Sequence, residues 1–149
     1  MKGAPTGTNP RLLMNSNSNK YSGVLIRLEN SVLLCKRQPH GPLGGYWSVP
    51  AGMVEEGASP RQGARRELKE ETQIDVDIER LQHLTAFEAY DGGSFDLYLY
   101  ETSDWLSPQL DYEHTAWGYF ALTHIESLHI GPHLQEAIIK WRDIILDCE

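Results

Sequence analysis

Three glutamates, Glu67, Glu70 and Glu71, stand within five positions of one another in residues 50–74, PAGMVEEGASPRQGARRELKEETQI. On a helix, residues three or four positions apart lie on one face, so the three carboxylates would project together. Each pair of like charges at this spacing costs roughly 0.2–0.5 kcal/mol. The segment therefore folds either as a charged helix face surrounded by water or as a site that holds a cation.

Signals for the start of a helix precede the three glutamates. Ser59 suits the N-cap position, Pro60 suits the first helical position, and Gln62 stands where the reciprocal capping partner belongs. The pattern predicts a helix over residues 60–71 or 60–72. Oxygen ligands are those that Mg²⁺ and Mn²⁺ prefer. From the helix alone, both the solvated face and the metal site remain open.

Composition and charge limit the partners of the chain. Its formal net charge is -8, from 21 acidic and 13 basic residues, which argues against general nucleic-acid binding, because neutralising phosphates requires a surplus of Lys and Arg. Cys35 and Cys148 have no zinc-site spacing and indicate no disulfide framework. No signal peptide or membrane span is recognisable, so we expect a cytoplasmic protein that contacts no membrane.

Short apolar runs separated by turn residues predict a single domain over residues 21–149, after a flexible leader over residues 1–20 that is rich in Gly, Pro, Asn and Ser. The 149-residue length is about that of one domain. The predicted strands lie within residues 22–30, 31–37, 75–91, 94–102 and 116–122, and a packing helix is predicted over residues 133–146.

The periodicity of these elements predicts which side chains enter the core. Along residues 94–102, alternation predicts one buried face and one more polar face. The expected buried positions of that strand are Phe95, Leu97 and Leu99, and the expected polar ones are Asp96, Tyr98 and Tyr100. The first two strands should bury Val24, Ile26, Val32 and Leu34, and the last helix Leu134, Ile138, Trp141 and Ile145.

The surroundings of the acidic helix resemble the Nudix hydrolase family. The family signature is Gly, five residues, Glu, seven residues, Arg-Glu, an aliphatic residue, any residue, Glu-Glu, any residue, Gly and an aliphatic residue. Here it begins at Gly52 and continues through RELKEE at residues 66–71 to Ile74. The flanking stretches LLCKR, WSVPAG and EHTAWGYF are also similar to the family. The resemblance implies an α/β fold, an α/β/α sandwich with a mixed β-sheet between helices.

Two positions depart from the signature. Gln73 replaces a Gly that the family places at the helix end, and Gln can adopt the left-handed conformation there at modest cost. Ala58 replaces the first Glu, which in the family lies close to the metal site and orients its neighbours. Glu55 or Glu56 are candidate substitutes from the turn, although their spacing differs.

The resemblance implies a site for Mg²⁺, with Mn²⁺ as a substitute, and assigns residues to it. The implied metal ligands are the carbonyl of Gly52 and the carboxylates of Glu67, Glu70 and Glu71. Arg66 would hold the acidic cluster through charge-assisted hydrogen bonds. Glu70 is the first choice for a ligand that also acts as base, and Glu113 is the second, with a solvated loop acid as the alternative for Glu113.

The implied reaction is hydrolysis of a diphosphate linkage in a nucleoside triphosphate, ADP-ribose or a nucleotide sugar. Tyr90 and Tyr98 are the candidates for stacking on the base, and Arg37 is the candidate for a phosphate contact unless it is an ordinary surface residue. A small nucleotide is thus the expected partner, and a homodimer is left open. The alternative function is a Nudix domain that binds a nucleotide as a regulator without turnover, which the loss of Glu at Ala58 favours.

Overall fold

The computed structural model describes residues 19–147, so the predicted leader, apart from its last two positions, and Cys148 lie outside the described residues. Within residues 19–147 no helix is long and apolar enough to cross a membrane. In chain order the elements are β1 Lys20–Leu28, β2 Ser31–Arg37, β3 Trp47–Ser48, β4 Ala51–Met53, α1 Pro60–Thr72, a 3₁₀ helix Ile78–Arg80, β5 Gln82–Glu88, β6 Ser94–Thr102, β7 His114–Ala121, a second 3₁₀ helix Leu122–Ser127, and α2 Pro132–Asp147.

The strands form one mixed sheet of seven strands. β1 and β2 pair antiparallel beside the turn that joins them, at Arg27↔Val32 and Leu28↔Ser31. Beyond these pairs the two strands diverge, and β3 pairs with β2 while β4 pairs with β1 in the space between them. β6 runs parallel to β1 and is followed by β5, and β7 continues the sheet beyond β2. The divergence therefore places β3 and β4 in the middle of the sheet.

Each face of the sheet has its own apolar core beneath a helix. Leu25 of β1 packs on the α2 side with Ile138 and Trp141. Its neighbours Val24 and Ile26 belong to the core on the α1 side, because successive side chains of a strand point to opposite faces. These layers confirm the predicted α/β/α sandwich with a mixed sheet between helices.

Most of the predicted core positions are correct. The four positions of β1 and β2 that were predicted to enter the core are fully buried: Val24, Ile26, Val32 and Leu34. On α2, Leu134, Ile138 and Trp141 are buried. Ile145, the fourth predicted position of that helix, is partly buried and packs against the same core.

The prediction for β6 is correct for the buried face, where Leu97 and Leu99 are buried and Phe95 packs against the core, and wrong for the more polar face. Tyr98 and Tyr100 are buried in the core on the α1 side, together with Leu68. Leu97 and Leu99 are buried on the α2 side. A central strand with a helix on each side has no polar face, because both of its surfaces are excluded from water.

The strand predicted within residues 75–91 is shorter than expected, since β5 covers only Gln82–Glu88. Before it, the chain makes a 3₁₀ helix in which the side chain of Asp77 accepts a hydrogen bond from the N–H of Glu79, at 2.9 Å. The last strand also begins earlier than predicted, at His114. Before each of these strands an aspartate side chain accepts a hydrogen bond from the backbone N–H two residues further on. Asp77 accepts from Glu79 before β5, and Asp111 accepts from Glu113 before β7.

α1 has the predicted start and a strained end. The hydroxyl of Ser59 accepts a hydrogen bond from the N–H of Gln62, at 3.1 Å, and the Gln62 side chain accepts one from the N–H of Ser59, at 2.8 Å. The helix ends at Gln73, which is left-handed at φ 64° and ψ 14° and donates its N–H to the carbonyl of Lys69. Gln73 therefore takes the conformation inferred for the family's Gly, with the steric cost of a Cβ.

Gln73→Gly should stabilise the protein, because glycine reaches the left-handed conformation without that cost. The expected gain is about 1 kcal/mol in the free energy of unfolding, or roughly 2–4 °C in melting temperature. Urea and thermal denaturation measure it. Gln73→Ala, which keeps a Cβ, is the matched control, and a melting temperature for Gln73→Gly no higher than for this control would contradict the prediction.

Candidate metal and nucleotide site

The three glutamates of α1 lie in different environments. α1 packs against β1 and β4, and this orientation turns Glu67 and Glu71 inward, where they are 9% and 2% exposed. Glu70 points outward, with 56% of its side chain exposed. The helix therefore presents a buried pair of carboxylates to the sheet and a third carboxylate at the rim.

The buried pair is electrostatically unfavourable without a cation. Oε1 of Glu71 accepts a hydrogen bond from the N–H of Ala51, at 3.1 Å. Burial, the hydrogen bond with Glu67 and the charges of Glu67 and Glu113 raise the pKa of Glu71 to about 10. The metal-free pair therefore keeps a proton at neutral pH, because two adjacent buried carboxylates do not both ionise. A divalent cation would take the place of that proton.

Gly52 of β4 lies directly against the carboxyl group of Glu67. A Cβ added at Gly52 would overlap the Cδ and both carboxylate oxygens of Glu67. Only glycine leaves room for this approach, which brings the β4 backbone to the buried pair. Gly52, the first residue of the sequence pattern, thus lies beside the buried Glu67 of the same pattern.

Arg66 connects the acidic residues to β4. Its Nη2 lies 2.9 Å from Glu67 Oε2 and donates to the carbonyl oxygen of Met53, at 3.0 Å. Its Nη1 donates to both carboxylate oxygens of Glu70, at 3.1 and 3.2 Å. Because the ion pair with Glu67 and the hydrogen bonds to Glu70 are charge-assisted, they hold the two carboxylates relative to the strand more firmly than neutral contacts would.

The donors gathered here fit a hard divalent cation such as Mg²⁺. They are carboxylate oxygens next to a close backbone segment, and Mg²⁺ prefers oxygen ligands and keeps several waters. Zinc sites use mainly histidine and cysteine. Among residues 19–147, no three His, Cys, Asp or Glu side chains converge as a ready set of ligands, and Arg66 holds the oxygens of Glu67 and Glu70.

A cleft of about 240 Å³ opens beside Gly52, on the α2 side of the sheet. Its walls are mainly apolar and aromatic, and the Phe87 and Phe95 rings stack with centroids 4.8 Å apart and planes 11° apart. Flat apolar walls with a few polar groups are typical of sites for nucleotide-like ligands. The aromatic residues of the lining are Tyr21, Tyr46, Trp47, Phe87, Tyr90 and Phe95.

Charged groups mark the end of the cleft near α1. Glu113 and Arg37 both line it. Burial and the charge of Asp111 raise the pKa of Glu113, Arg37 opposes this, and the charges of Glu67 and Glu70 add to the rise. Glu113 therefore lies within the electrostatic field of the α1 glutamates, as expected if it faces them across the site.

A family model described as the NUDIX domain matches residues 19–141. The chain belongs to the Nudix family. The matched range includes the whole segment from Gly52 to Ile74 that carries the signature.

Curated relatives match only part of the chain. An 8-oxo-dGTP diphosphatase from Proteus vulgaris is 38% identical over 55 residues, which are 37% of this chain and 49% of that protein. An octanoyltransferase from Myxococcus xanthus is 46% identical over 59 residues, which are 40% of this chain and 16% of that protein. The chain thus spans less than half the length of either relative.

Solved Nudix structures share the fold over most of the chain. The NUDIX domain of Shewanella oneidensis NrtR, solved in complex with ADP ribose, matches with a TM-score of 0.74 and 16% identity, covering 93% of this chain and 94% of that one. An Ap4A hydrolase from C. elegans, solved as a binary complex, matches with a TM-score of 0.71 and 21% identity, covering 85% and 98%. At such identities the likeness shows the fold alone.

The structure brings most of the predicted Nudix site residues together, with one exception. Arg37, Tyr90 and Glu113 line the cleft. Tyr98 does not reach it, since the side chain is 5% exposed in the core beneath α1, 5.1 Å from the Arg61 guanidinium. Tyr98 and Phe95 are an odd number of positions apart, so they face opposite sides of the sheet. The prediction that Tyr98 stacks on the base of a nucleotide is therefore wrong.

Sequence reasoning missed Tyr21 as a cleft residue. Tyr21 is on the same face of β1 as Leu25, which packs on the α2 side, so strand parity was an available signal. Its hydroxyl donates to Asp91, at 2.7 Å, and its ring is 5.8 Å from that of Tyr90. Asp91 thus ties the β5–β6 turn to β1 at the rim of the cleft.

The departure at Ala58 leaves Arg66 with a different acidic neighbour. The N–H of Ala58 donates to the carbonyl oxygen of Glu55, at 3.0 Å. The carboxylate of Glu55 then lies 3.7 Å from Nε of Arg66. Both turn glutamates that are candidate substitutes are exposed, and Glu55 is the one whose carboxylate approaches Arg66.

The stability of the metal-free protein should fall as the pH rises. The pKa of Glu71 is raised from 4.5 to about 10 in the folded protein, so the folded state binds the extra proton between these values and loses stability across them, by at most roughly 1.4 kcal/mol per pH unit. Glu71→Gln keeps a hydrogen-bond acceptor for Ala51 but does not titrate, and should flatten this slope.

Urea denaturation in EDTA, at intervals of about one pH unit between roughly pH 5 and pH 9, tests this dependence. Glu70→Gln, which removes an exposed carboxylate from the same helix, is the control and should keep the slope of the parent protein. A slope that is the same in Glu71→Gln and in the parent would contradict the assignment of the proton to the buried pair.

Gly52→Ala should weaken metal binding without unfolding the protein. The added methyl group overlaps the end of the Glu67 side chain, which is flexible and can move away. We expect the affinity for Mn²⁺, followed by electron paramagnetic resonance, to fall by about tenfold or more. Gly118→Ala is the matched control, because its Cβ would meet Phe120 at an ordinary 3.4 Å. Equal affinities in the two variants would contradict the prediction.

Proposed function

We propose that this protein is a Mg²⁺-dependent hydrolase that cleaves a diphosphate linkage in a nucleoside diphosphate derivative. The observation that carries the proposal is the buried pair Glu67 and Glu71, held beside Gly52 and next to an aromatic cleft. A cleft of this kind accepts a base, and a cation at the acidic end accepts phosphates. The family membership supports the same reaction class.

The residues of this chain that would hold the metal are Glu67, Glu71, Glu70 and the backbone of Gly52. When bound, Mg²⁺ supplies the positive charge that offsets a diphosphate and makes a water molecule more acidic. Arg66 keeps the carboxylates in place through its ion pair with Glu67 and its hydrogen bonds to Glu70 and Met53. Arg37 lines the cleft and can pair with a phosphate oxygen.

Glu113 is better suited than Glu70 to remove a proton from the attacking water. Both oxygens of Glu70 accept hydrogen bonds from Arg66, so neither is free to accept a proton from water. Glu113 lines the cleft, and burial with the charge of Asp111 raises its pKa. A raised pKa makes a carboxylate a stronger base near neutral pH. We therefore place Glu113 first and Glu70 second, the reverse of the order taken from the sequence.

The candidate substrates are nucleoside triphosphates, ADP-ribose and nucleotide sugars. The similarity to an 8-oxo-dGTP diphosphatase supports a triphosphate, including an oxidised one. The similarity to a domain solved with ADP ribose supports ADP-ribose. The similarity to an Ap4A hydrolase adds Ap4A to the compounds to be tested. The substrate depends on the cleft rather than on the shared fold.

A panel assay tests the proposed function. The purified protein with Mg²⁺ is incubated in separate reactions with 8-oxo-dGTP, dGTP, ADP-ribose, Ap4A and UDP-glucose. Phosphate release is followed after adding inorganic pyrophosphatase for the two triphosphates and a phosphatase for the other compounds. We expect turnover of at least one compound, lost on addition of EDTA. Absence of turnover on every compound would contradict the proposal.

The second candidate function is a Nudix domain that binds a nucleotide as a regulator. Ala58 favours it, since the family's first Glu is missing there, and so does the likeness to the NrtR domain solved with ADP ribose. Calorimetry with the same five compounds separates the two functions. Tight binding of one of them without its hydrolysis would favour the regulator.

Glu113→Gln should reduce kcat by about 10²-fold or more, because the amide cannot accept the proton of water. KM should change little, since the metal and the aromatic walls remain. Steady-state kinetics on the best substrate of the panel measures both constants. Glu56→Gln, which removes an exposed carboxylate of the turn before α1, is the control with the same change in charge. A kcat of Glu113→Gln equal to that of the control would exclude Glu113 as the base.

A further inference from the structure

The turn before β7 is tied to the C-terminal end of α1 through Asp111. The N–H of Asp111 donates to the carbonyl oxygen of Glu71, at 3.2 Å. Its carboxylate oxygen Oδ1 accepts a hydrogen bond from the N–H of Glu113, at 3.1 Å, and lies 3.3 Å from Nδ1 of His114. Asp111 therefore contacts α1, the candidate general base Glu113, and His114, the first residue of β7.

His114 supports this turn from below. It is 5% exposed, and its ring lies between Asp111 and Glu71, with Nε2 3.8 Å from Glu71 Oε1. Nε2 has no hydrogen-bond partner among the described residues. A buried ring nitrogen without a partner is unfavourable, so an apolar side chain would suit simple packing better. A shift of less than about 1 Å brings Nε2 within hydrogen-bond range of Glu71.

The other side of the turn is attached to β2. The carbonyl oxygen of Glu113 accepts a hydrogen bond from the N–H of Gln38, at 2.8 Å, directly after the end of β2. The backbone of Glu113 is thus held from both directions, by Asp111 through its N–H and by Gln38 through its carbonyl. These two hydrogen bonds fix the point from which the Glu113 side chain leaves the backbone, and Glu113 lines the cleft.

We propose that Asp111 is a positioning residue, supported by His114, that fixes Glu113 opposite Glu71 across the reaction site. Its role is that of a hydrogen-bond acceptor at Oδ1, not that of a charge. The kinetic consequence rests on the function proposed above, in which Glu113 removes the proton. The structural consequence, an ordered Glu113 backbone, does not depend on that function.

Two variants separate the acceptor from the charge. Asp111→Ala removes Oδ1, and with it the contacts to the Glu113 N–H and to His114. Asp111→Asn keeps an oxygen at the same place and removes only the negative charge. In the metal-free protein, measured by ¹⁵N NMR, the Glu113 amide should exchange at least about tenfold faster in Asp111→Ala than in the parent, and Asp111→Asn should restore most of the protection.

The kinetic readout uses the best substrate of the panel. For Asp111→Ala we expect kcat to fall by about tenfold or more while KM stays within about threefold, because a misplaced base affects the reaction more than binding. Asp111→Asn should recover most of the lost kcat. A mutation that merely loosened the fold would instead change both constants and would not be rescued by the amide.

Three results would overturn the proposal. They are parent-like exchange of the Glu113 amide in Asp111→Ala, parent-like kcat in that variant, and an Asp111→Asn variant as impaired as Asp111→Ala. If the parent hydrolyses no compound of the panel, the proposed function fails, and amide exchange alone decides the role of Asp111. If Asp111→Ala does not fold, the parent decides it, since a Glu113 amide that exchanges at the rate of an unprotected peptide excludes the hydrogen bond.

Discussion

Two carboxylates buried side by side oppose folding unless a proton or a cation separates them, and the rest of this site is arranged around that constraint. Glu67 and Glu71 are neighbours because they lie four positions apart on α1, and they are buried because that face of α1 packs on β4, where glycine at position 52 leaves room for Glu67. Arg66 supplies a permanent charge on one side of the pair, and Ala51 supplies a backbone N–H on the other. The unfavourable pair therefore marks where a divalent cation gains most by binding.

The divergence of β1 and β2 explains why the acidic pair and the cleft are neighbours. If the two strands stayed paired along their length, β3 and β4 would have no place in the sheet. Because they separate, β4 carries Gly52 to the helix on one face of the sheet and borders the cleft on the other. The acidic pair and the aromatic cleft thus meet across a single short strand.

Local signals predicted α1 and its contribution well, because capping and helical spacing act over a few residues. Ser59 and Gln62 form the expected capping box, and Gln73 takes the expected left-handed conformation. The sequence alone did not reveal that helices cover both faces of β6, which buried Tyr98. It also gave no indication of the link between Asp111 and α1, because Asp111 and its partner Glu71 are roughly 40 positions apart in the chain and are joined only by the tertiary fold.

The two halves of the site differ in how their sequence determines them, and this difference separates reaction from substrate. The acidic half comes from one continuous segment, so the signature identifies it. The cleft is assembled from β1, the loop after β2, the β5–β6 hairpin and the start of α2. At its rim, Asp91 accepts from Tyr21 and Asn19 and so fixes the hairpin against β1. Substitutions in this hairpin would reshape the aromatic cleft without moving Glu67 or Glu71, so under the proposed function the substrate can change while the reaction stays the same.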